Sequence, residues 1–257
     1  MMKAFLLAFL TACMGFAQFG PPPPAAPPKS GRDAAPVDLT GAWVSIVAED
    51  WRWRMLTPLK GDAASIPYKP DARKVIDAWD PAKDEAAGLQ CKAYGAPAVM
   101  RIPGRVRISW QDENTLKLEL DQGRQTRLFH FGAKPAPGQA PSWQGESAAR
   151  WEPALPPSGN GLPVGISPRF GARSRSLEVT TTNLREGYLR KNGVPYSGTA
   201  TLTEYYDLFQ EPNGDTWFTV TTIVNDPVYL STPFVTSTDF KKEADGSKFT
   251  PAPCAAR

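Results

Sequence analysis

Residues 105–131 read RVRISWQDENTLKLELDQGRQTRLFHF and predict three consecutive β-strands. Apolar and polar residues alternate through 106–110 and again through 116–120, where every second residue is leucine. This period of two is typical of a strand with one buried face. The polar runs at 112–114 and 121–123 predict tight turns between the strands. The segment therefore predicts a β-meander.

The C-terminal third continues the β pattern. Residues 177–182, 200–209, 216–224 and 236–242 are β-prone, and Asn213-Gly214 predicts a hairpin turn, because glycine and asparagine accept positive φ. We count nine or ten strands. The sequence predicts a mainly β fold, either an antiparallel barrel of lipocalin or calycin-like architecture or a sandwich.

The first half of the chain adds one strand region and little helix. Gly41-Ala42-Trp43 resembles the start of a lipocalin-like barrel, where a tryptophan plugs one end. The residues that follow are β-prone as far as Met55, with a bend expected near Glu49-Asp50, because one straight strand of that length would be unusually long. Helical spacing of apolar residues is confined to 70–88, with Pro81 as a stop. One or two short helices are expected.

Composition excludes several classes of function. The chain has 257 residues, a formal charge of +3, one histidine and three cysteines. A zinc site of the usual type needs three or four histidine or cysteine ligands, so none is expected. The charge is too small to predict nucleic-acid binding. We find no phosphate loop and no common hydrolase motif, and we expect no cofactor and no metal.

The N-terminus is typical of an export signal. Lys3 precedes an apolar run that is far shorter than a membrane span, and small residues then predict cleavage before Gln18. The expected location is the periplasm or the exterior. Cys13 lies in a lipobox-like context, so an outer-membrane lipoprotein with a lipid anchor is the alternative. No transmembrane segment is expected.

The mature chain divides into three parts by composition. Residues 18–36 are rich in proline and predict a disordered linker. Residues 37–245 predict a single β-rich domain, and 246–257 form a tail. Once 1–17 are removed, Cys91 and Cys254 are the remaining cysteines, and in an exported chain they predict one disulfide that ties down the tail.

Three groups of short motifs occur in order along the chain. They are DAWDP at 77–81, SWQGES at 142–147 with RWE at 150–152, and LTEYY at 202–206 with the later Asp226-Pro227 and Thr232-Pro233-Phe234. Over residues 38–242 the chain resembles an uncharacterised family of exported acidobacterial and proteobacterial proteins. This resemblance implies no activity and no catalytic residues, and the likeness to lipocalins is one of architecture alone.

Glu204 is the most unusual residue of the predicted strands, because it shares a face with Leu202 and Tyr206. A carboxylate on an apolar face is either paired or has a raised pKa. We expect an ion pair with Arg127, or alternatively a catalytic group that acts with His130 or Tyr206.

Trp51-Arg52-Trp53-Arg54 would place both tryptophans on one side of an extended strand. With Trp43, Arg127 and Tyr206, these two tryptophans are the candidate ligand-binding residues.

Three hypotheses about function follow. The first is an exported barrel that binds a hydrophobic or aromatic small molecule. The second is a cofactor-free lyase, hydratase or isomerase that uses Glu204 and His130, and the third is an envelope interaction protein without a ligand cavity. The sequence does not define the oligomeric state.

Overall fold

A computed structural model of the chain describes residues 29–132, 138–152 and 176–257. The strands are β1 (Gly41–Ile46), β2 (Arg105–Asp112), β3 (Thr115–Leu120), β4 (Gln125–Phe131), β5 (Glu146–Trp151), β6 (Ser176–Thr182), β7 (Gly187–Arg190), β8 (Val194–Tyr196), β9 (Thr201–Gln210), β10 (Thr216–Asn225) and β11 (Phe234–Lys242). The helices are α1 (Trp51–Arg54), α2 (Pro70–Ala78), α3 (Pro81–Ala86) and α4 (Ala96–Val99), with one 3-10 turn at Lys92–Tyr94.

Nine strands close into a barrel in the order β1-β11-β10-β9-β6-β5-β4-β3-β2, while β7 and β8 form a separate hairpin. The predicted mainly β fold is confirmed, as a barrel and not a sandwich. Neighbouring strands of the barrel are antiparallel, except that β4 and β5 are parallel. The expectation of an all-antiparallel barrel is therefore wrong at that pair. Phe129, His130 and Phe131 of β4 are in register with Ser147, Ala148 and Ala149 of β5, and the two strands run in the same direction.

The barrel interior is filled by side chains. Phe218 lies between Trp43 and Phe240, with ring centroids 4.8 and 4.7 Å away. Large barrel side chains with no more than 1% exposed surface include Trp43, Leu118, Phe129, Phe218 and Phe240. They come from alternate positions of their strands, which is how a narrow barrel fills its centre.

Residues 47–104, between β1 and β2, form a helical cap over one end of the barrel together with the β7–β8 hairpin. The helix expected at 70–88 is present as α2 and α3, and α1 and α4 are additional. Ile76 of α2 is fully buried. Gly193, in the hairpin turn, has φ 83°, and a Cβ there would lie 2.2 Å from the ring of Trp79. This turn therefore requires glycine.

The strand expected to continue to Met55 ends at Ile46, and Trp51–Arg54 form a single helical turn. Asp50 adopts a left-handed φ of 51°, and its carbonyl accepts hydrogen bonds from the amides of Trp53 and Arg54 at 2.9 and 3.1 Å. Aspartate tolerates this conformation better than most residues. The two tryptophans therefore do not share one face of a strand, and that expectation is wrong.

The predicted signal peptide, Cys13 and most of the predicted linker lie outside the described residues. The last part of that linker belongs to the folded body. The amide of Gly31 donates to Asn114 Oδ1 at 2.8 Å, and Trp151 Nε1 donates to the Gly31 carbonyl at 2.7 Å. These residues pack at the end of the barrel opposite the cap.

The C-terminal tail runs back along the outside of the barrel to the cap. Arg107 Nη2 donates to the Gly246 carbonyl at 2.8 Å, and the amide of Ala252 donates to the Asp121 carbonyl at 2.8 Å. The tail ends at the predicted disulfide between Cys91 and Cys254, which is present. Among the described residues, no helix is long and apolar enough to cross a membrane.

We predict that reduction of the disulfide lowers the free energy of unfolding by about 2–4 kcal/mol, because Cys91 and Cys254 are 163 positions apart and close a long loop in the unfolded chain. Urea unfolding with and without dithiothreitol measures this. The C91S/C254S variant is the control and should show no further response to reductant. Equal midpoints for the oxidised and reduced wild-type protein would contradict the prediction.

Candidate functional site

Glu204 of β9 and Arg127 of β4 form an ion pair across the interior of the barrel. Arg127 Nη1 donates to Glu204 Oε1 at 2.8 Å, and Nη2 donates to Oε2 at 2.5 Å. Tyr206 OH donates to Glu204 Oε1 at 3.2 Å. Thr181 Oγ1 accepts from Arg127 Nη2 at 3.3 Å and contacts Ser147 Oγ at 2.7 Å. This is the ion pair that the sequence predicts.

Neither side chain of the pair has any exposed surface. Burial by itself lowers the pKa of Arg127, but the adjacent charge of Glu204 outweighs it and raises the pKa above the usual arginine value. Burial, reinforced by Glu204, raises the pKa of Tyr206. The guanidinium stays charged and the phenol stays neutral. Among the described residues, the network is enclosed by protein and offers a substrate no path to the carboxylate.

His130 is on the opposite face of β4 from Arg127 and Phe129, as the alternating burial of the strand shows. Its Nδ1 lies 3.3 Å from Thr115 Oγ1, on the neighbouring strand. The structure therefore does not bring His130 to Glu204, and the predicted acid–base pair of these two residues is not formed. Of the candidate catalytic and ligand-binding residues, it brings together Glu204, Arg127 and Tyr206.

The three candidate tryptophans are in three different environments. Trp43 is fully buried, and its Nε1 donates to the Leu39 carbonyl at 3.0 Å, so it plugs the barrel as expected. Trp51 projects outward from the cap. Trp53 is half-buried and stacks on Arg190, with 4.8 Å between the guanidinium carbon and the ring centroid.

A cavity of about 240 Å³ lies within the cap, between residues 53–57, residues 93–103 and the β7–β8 hairpin. Three arginines line it, Arg54, Arg101 and Arg190, and all three are almost completely buried. The remaining lining is largely apolar and includes Met55, Leu56, Ala98, Ile102 and Leu189. We call this space the arginine cavity.

The arginines of the cavity differ in how well they are paired. Arg54 Nη1 forms an ion pair with Glu49, and its Nη2 donates to Ser45 Oγ at 3.1 Å. Arg101 Nη2 donates to Asp50 Oδ2 at 2.7 Å. Arg190 Nη1 donates to the Ala64 carbonyl at 2.7 Å, which is a neutral partner. Arg190 is therefore the least neutralised of the three.

Several buried N–H groups of the arginine cavity lack acceptors. Nη1 of Arg101, and Nε and Nη2 of Arg190, have no hydrogen-bond partner among the described residues. Burial, with the neighbouring charge of Arg101, lowers the pKa of Arg190 to about 10, so it is still charged at neutral pH. Guanidinium groups bind carboxylates and phosphates through paired N–H donors. The cavity can therefore bind an anion.

No family model, curated protein or solved structure matches the chain. The resemblance to an uncharacterised exported family therefore stays a prediction.

Sequence reasoning did not identify Arg101 or Arg190. Arg190 directly precedes the Asn192-Gly193 turn, and Arg101 follows the apolar run at 93–100. An arginine next to a turn is usually exposed, and neither position has a periodic pattern that indicates burial. Both become buried only when α1 and α4 pack beside β7.

We predict that Glu204→Gln destabilises the protein by about 3–5 kcal/mol, because it leaves the charge of Arg127 buried and unpaired. Urea unfolding measures the loss. The control is Arg127→Met combined with Glu204→Leu, which removes both charges at similar volume and should regain most of the stability. Wild-type stability in Glu204→Gln would show that the pair does not hold the barrel together.

Proposed function

We propose that the protein binds a small organic anion with an apolar body, in the arginine cavity of the cap. One observation carries this proposal: Arg101 and Arg190 are 6% and 5% exposed, line a cavity, and have buried N–H groups without acceptors. Buried guanidinium groups that are not fully paired cost free energy, and an anion in the cavity that they line would offset part of that charge.

The lining of the arginine cavity indicates that the part of the ligand away from its anionic group is apolar. Leu189, Ala98 and Ile102 contribute apolar surface, and Trp53 contributes the aromatic ring that stacks on Arg190. Ligand sites in general combine such a lining with a few polar groups that fix orientation. The volume of about 240 Å³ is below the roughly 300–1,000 Å³ of most such sites, which favours a small ligand. An aromatic or short aliphatic carboxylate, sulfonate or phosphate fits both requirements.

This proposal keeps the class of function expected from the sequence and changes the position of the ligand. The expected site was the inside of the barrel, where Trp43, Phe129 and Phe218 instead pack against their neighbours. At the capped end Trp53 is the aromatic residue that lines the cavity, in place of the three tryptophans predicted from the sequence. We further propose that the protein is exported, which the Cys91–Cys254 disulfide supports, because disulfides persist in oxidising compartments.

We predict that the wild-type protein binds 2-naphthoate at least about tenfold more tightly than 2-naphthylmethanol. The two probes share one aromatic body, and only the first can accept charge-assisted hydrogen bonds, which contribute about 1.5–3 kcal/mol each. Arg190→Gln and Arg101→Gln should each reduce naphthoate affinity about tenfold and leave the alcohol almost unaffected. Isothermal titration calorimetry measures both affinities.

Arg150→Gln is the matched control for charge, since Arg150 pairs with Glu178 on the outside of the barrel. It should bind naphthoate as the wild type does. Thermal unfolding of each variant establishes that the cap is still folded. If folded Arg190→Gln and Arg101→Gln both retain wild-type affinity for naphthoate, the arginine cavity is not the binding site.

A further inference from the structure

The cap exposes large apolar side chains over one short segment. Trp51, Met55, Leu56 and Leu59 are 58–77% exposed. Apolar side chains scattered singly on a surface are ordinary, but a group within nine residues marks an interaction surface. We call these four residues the apolar patch. Two of them, Met55 and Leu56, also line the arginine cavity.

The backbone beneath the apolar patch is fixed to the rest of the fold. Asn192 is fully buried, and its Nδ2 donates to the Leu59 carbonyl at 2.9 Å and to the Asp62 carbonyl at 2.8 Å. Asp62 Oδ2 accepts from Trp53 Nε1 at 3.3 Å. The loop after α1 is therefore held at both ends, and the patch projects outward from an anchored segment.

The charges around the apolar patch are mostly positive. Residues 51–60 contain Arg52, Arg54 and Lys60 and no acidic residue. Lys191 lies at the adjoining wall of the arginine cavity. The carboxylates nearest in the chain are engaged: Glu49 pairs with Arg54, Asp50 with Arg101, and Asp62 with Arg52. Lys60 and Lys191 are left as cations without a carboxylate partner among these residues.

We propose that the apolar patch docks the protein on the surface of a membrane that contains anionic phospholipid. Tryptophan and aliphatic side chains enter the interfacial region of a bilayer, and neighbouring lysine and arginine residues are attracted to anionic headgroups. The patch and its cations combine both features on one anchored segment. This inference goes beyond the proposed ligand and does not depend on it. Docking in this orientation turns the Met55–Leu56 wall of the arginine cavity toward the lipid.

A second copy of the chain fits the patch less well than an anionic membrane. A two-fold symmetric interface brings each patch against the same patch of the partner. The two surfaces would then carry the same excess of positive charge, to which Lys60 contributes, and like charges repel across an interface. An anionic surface has the complementary charge.

Co-sedimentation with lipid vesicles tests the inference. The full chain with Cys13→Ser is used, so that no acyl chain can contribute, with vesicles of phosphatidylcholine alone or with phosphatidylglycerol. We expect partitioning at least about tenfold stronger on the phosphatidylglycerol vesicles, decreasing as salt is raised. Trp51→Ser combined with Leu59→Ser should reduce it about tenfold, and Arg52→Gln combined with Lys60→Gln should abolish the preference for phosphatidylglycerol.

Val228→Ser combined with Val235→Ser is the matched control, because these valines are 43% and 57% exposed elsewhere on the surface. It should sediment as the wild type does. Absence of vesicle binding by the wild-type protein, or unchanged binding by the Trp51/Leu59 variant, would overturn the inference. A dimer in sedimentation velocity that this variant converts to a monomer would also overturn it, because a second copy would then cover the patch.

The outcome is separable from that of the proposed ligand site. Trp51 and Leu59 do not line the arginine cavity, so the Trp51/Leu59 variant should still bind naphthoate with wild-type affinity. Arg190→Gln should conversely keep its vesicle binding. Each site can therefore fail without the other.

Discussion

The ion pair between Arg127 and Glu204 constrains the rest of the barrel, because neither charge can stay buried without the other. The two residues are on β4 and β9, which are not neighbours in the barrel, so the pair joins opposite parts of the wall through the centre. A slip of either strand by one residue would turn its charge to the outer face and leave the partner buried alone. The pair therefore favours one register, at a desolvation cost that only its bidentate geometry and the surrounding hydroxyls offset.

A barrel closed in this way determines where binding can take place. The centre holds the ion pair and several aromatic rings, so it acts as a rigid support and not as a container. The helices and the separate hairpin lie instead at one end, where residues 47–104 and the β7–β8 hairpin form the cap. The Cys91–Cys254 disulfide fastens the cap to the tail that runs along the outside of the barrel. Arg101 and Arg190 are buried residues of this cap.

The parts of this structure that the sequence predicts are those governed by local pattern. Alternation through 105–131 predicts three paired strands, and a carboxylate between apolar neighbours on β9 predicts the partner of Arg127. The parallel pairing of β5 depends on the path of a connection, which has no periodicity. The helix α1 depends on the left-handed Asp50 and on the burial of Arg54 beside Ser45, both of which are tertiary effects. The arginine cavity depends on three distant segments and has no local signal.

The cap combines two features that do not stabilise a fold by themselves. Arg190 is buried with one neutral hydrogen-bond partner, next to a second arginine, and a leucine at that position would avoid both the desolvation and the repulsion. Trp51 and Leu59 are exposed on an anchored segment, where polar residues would be equally compatible with the backbone bonds from Asn192. Local departures from stable packing are expected at functional sites, because stability and function make different demands on the same residues. Both departures occur on the cap, and Met55 and Leu56 belong to the cavity as well as to the patch, so both proposals place the function of the protein at this end of the molecule.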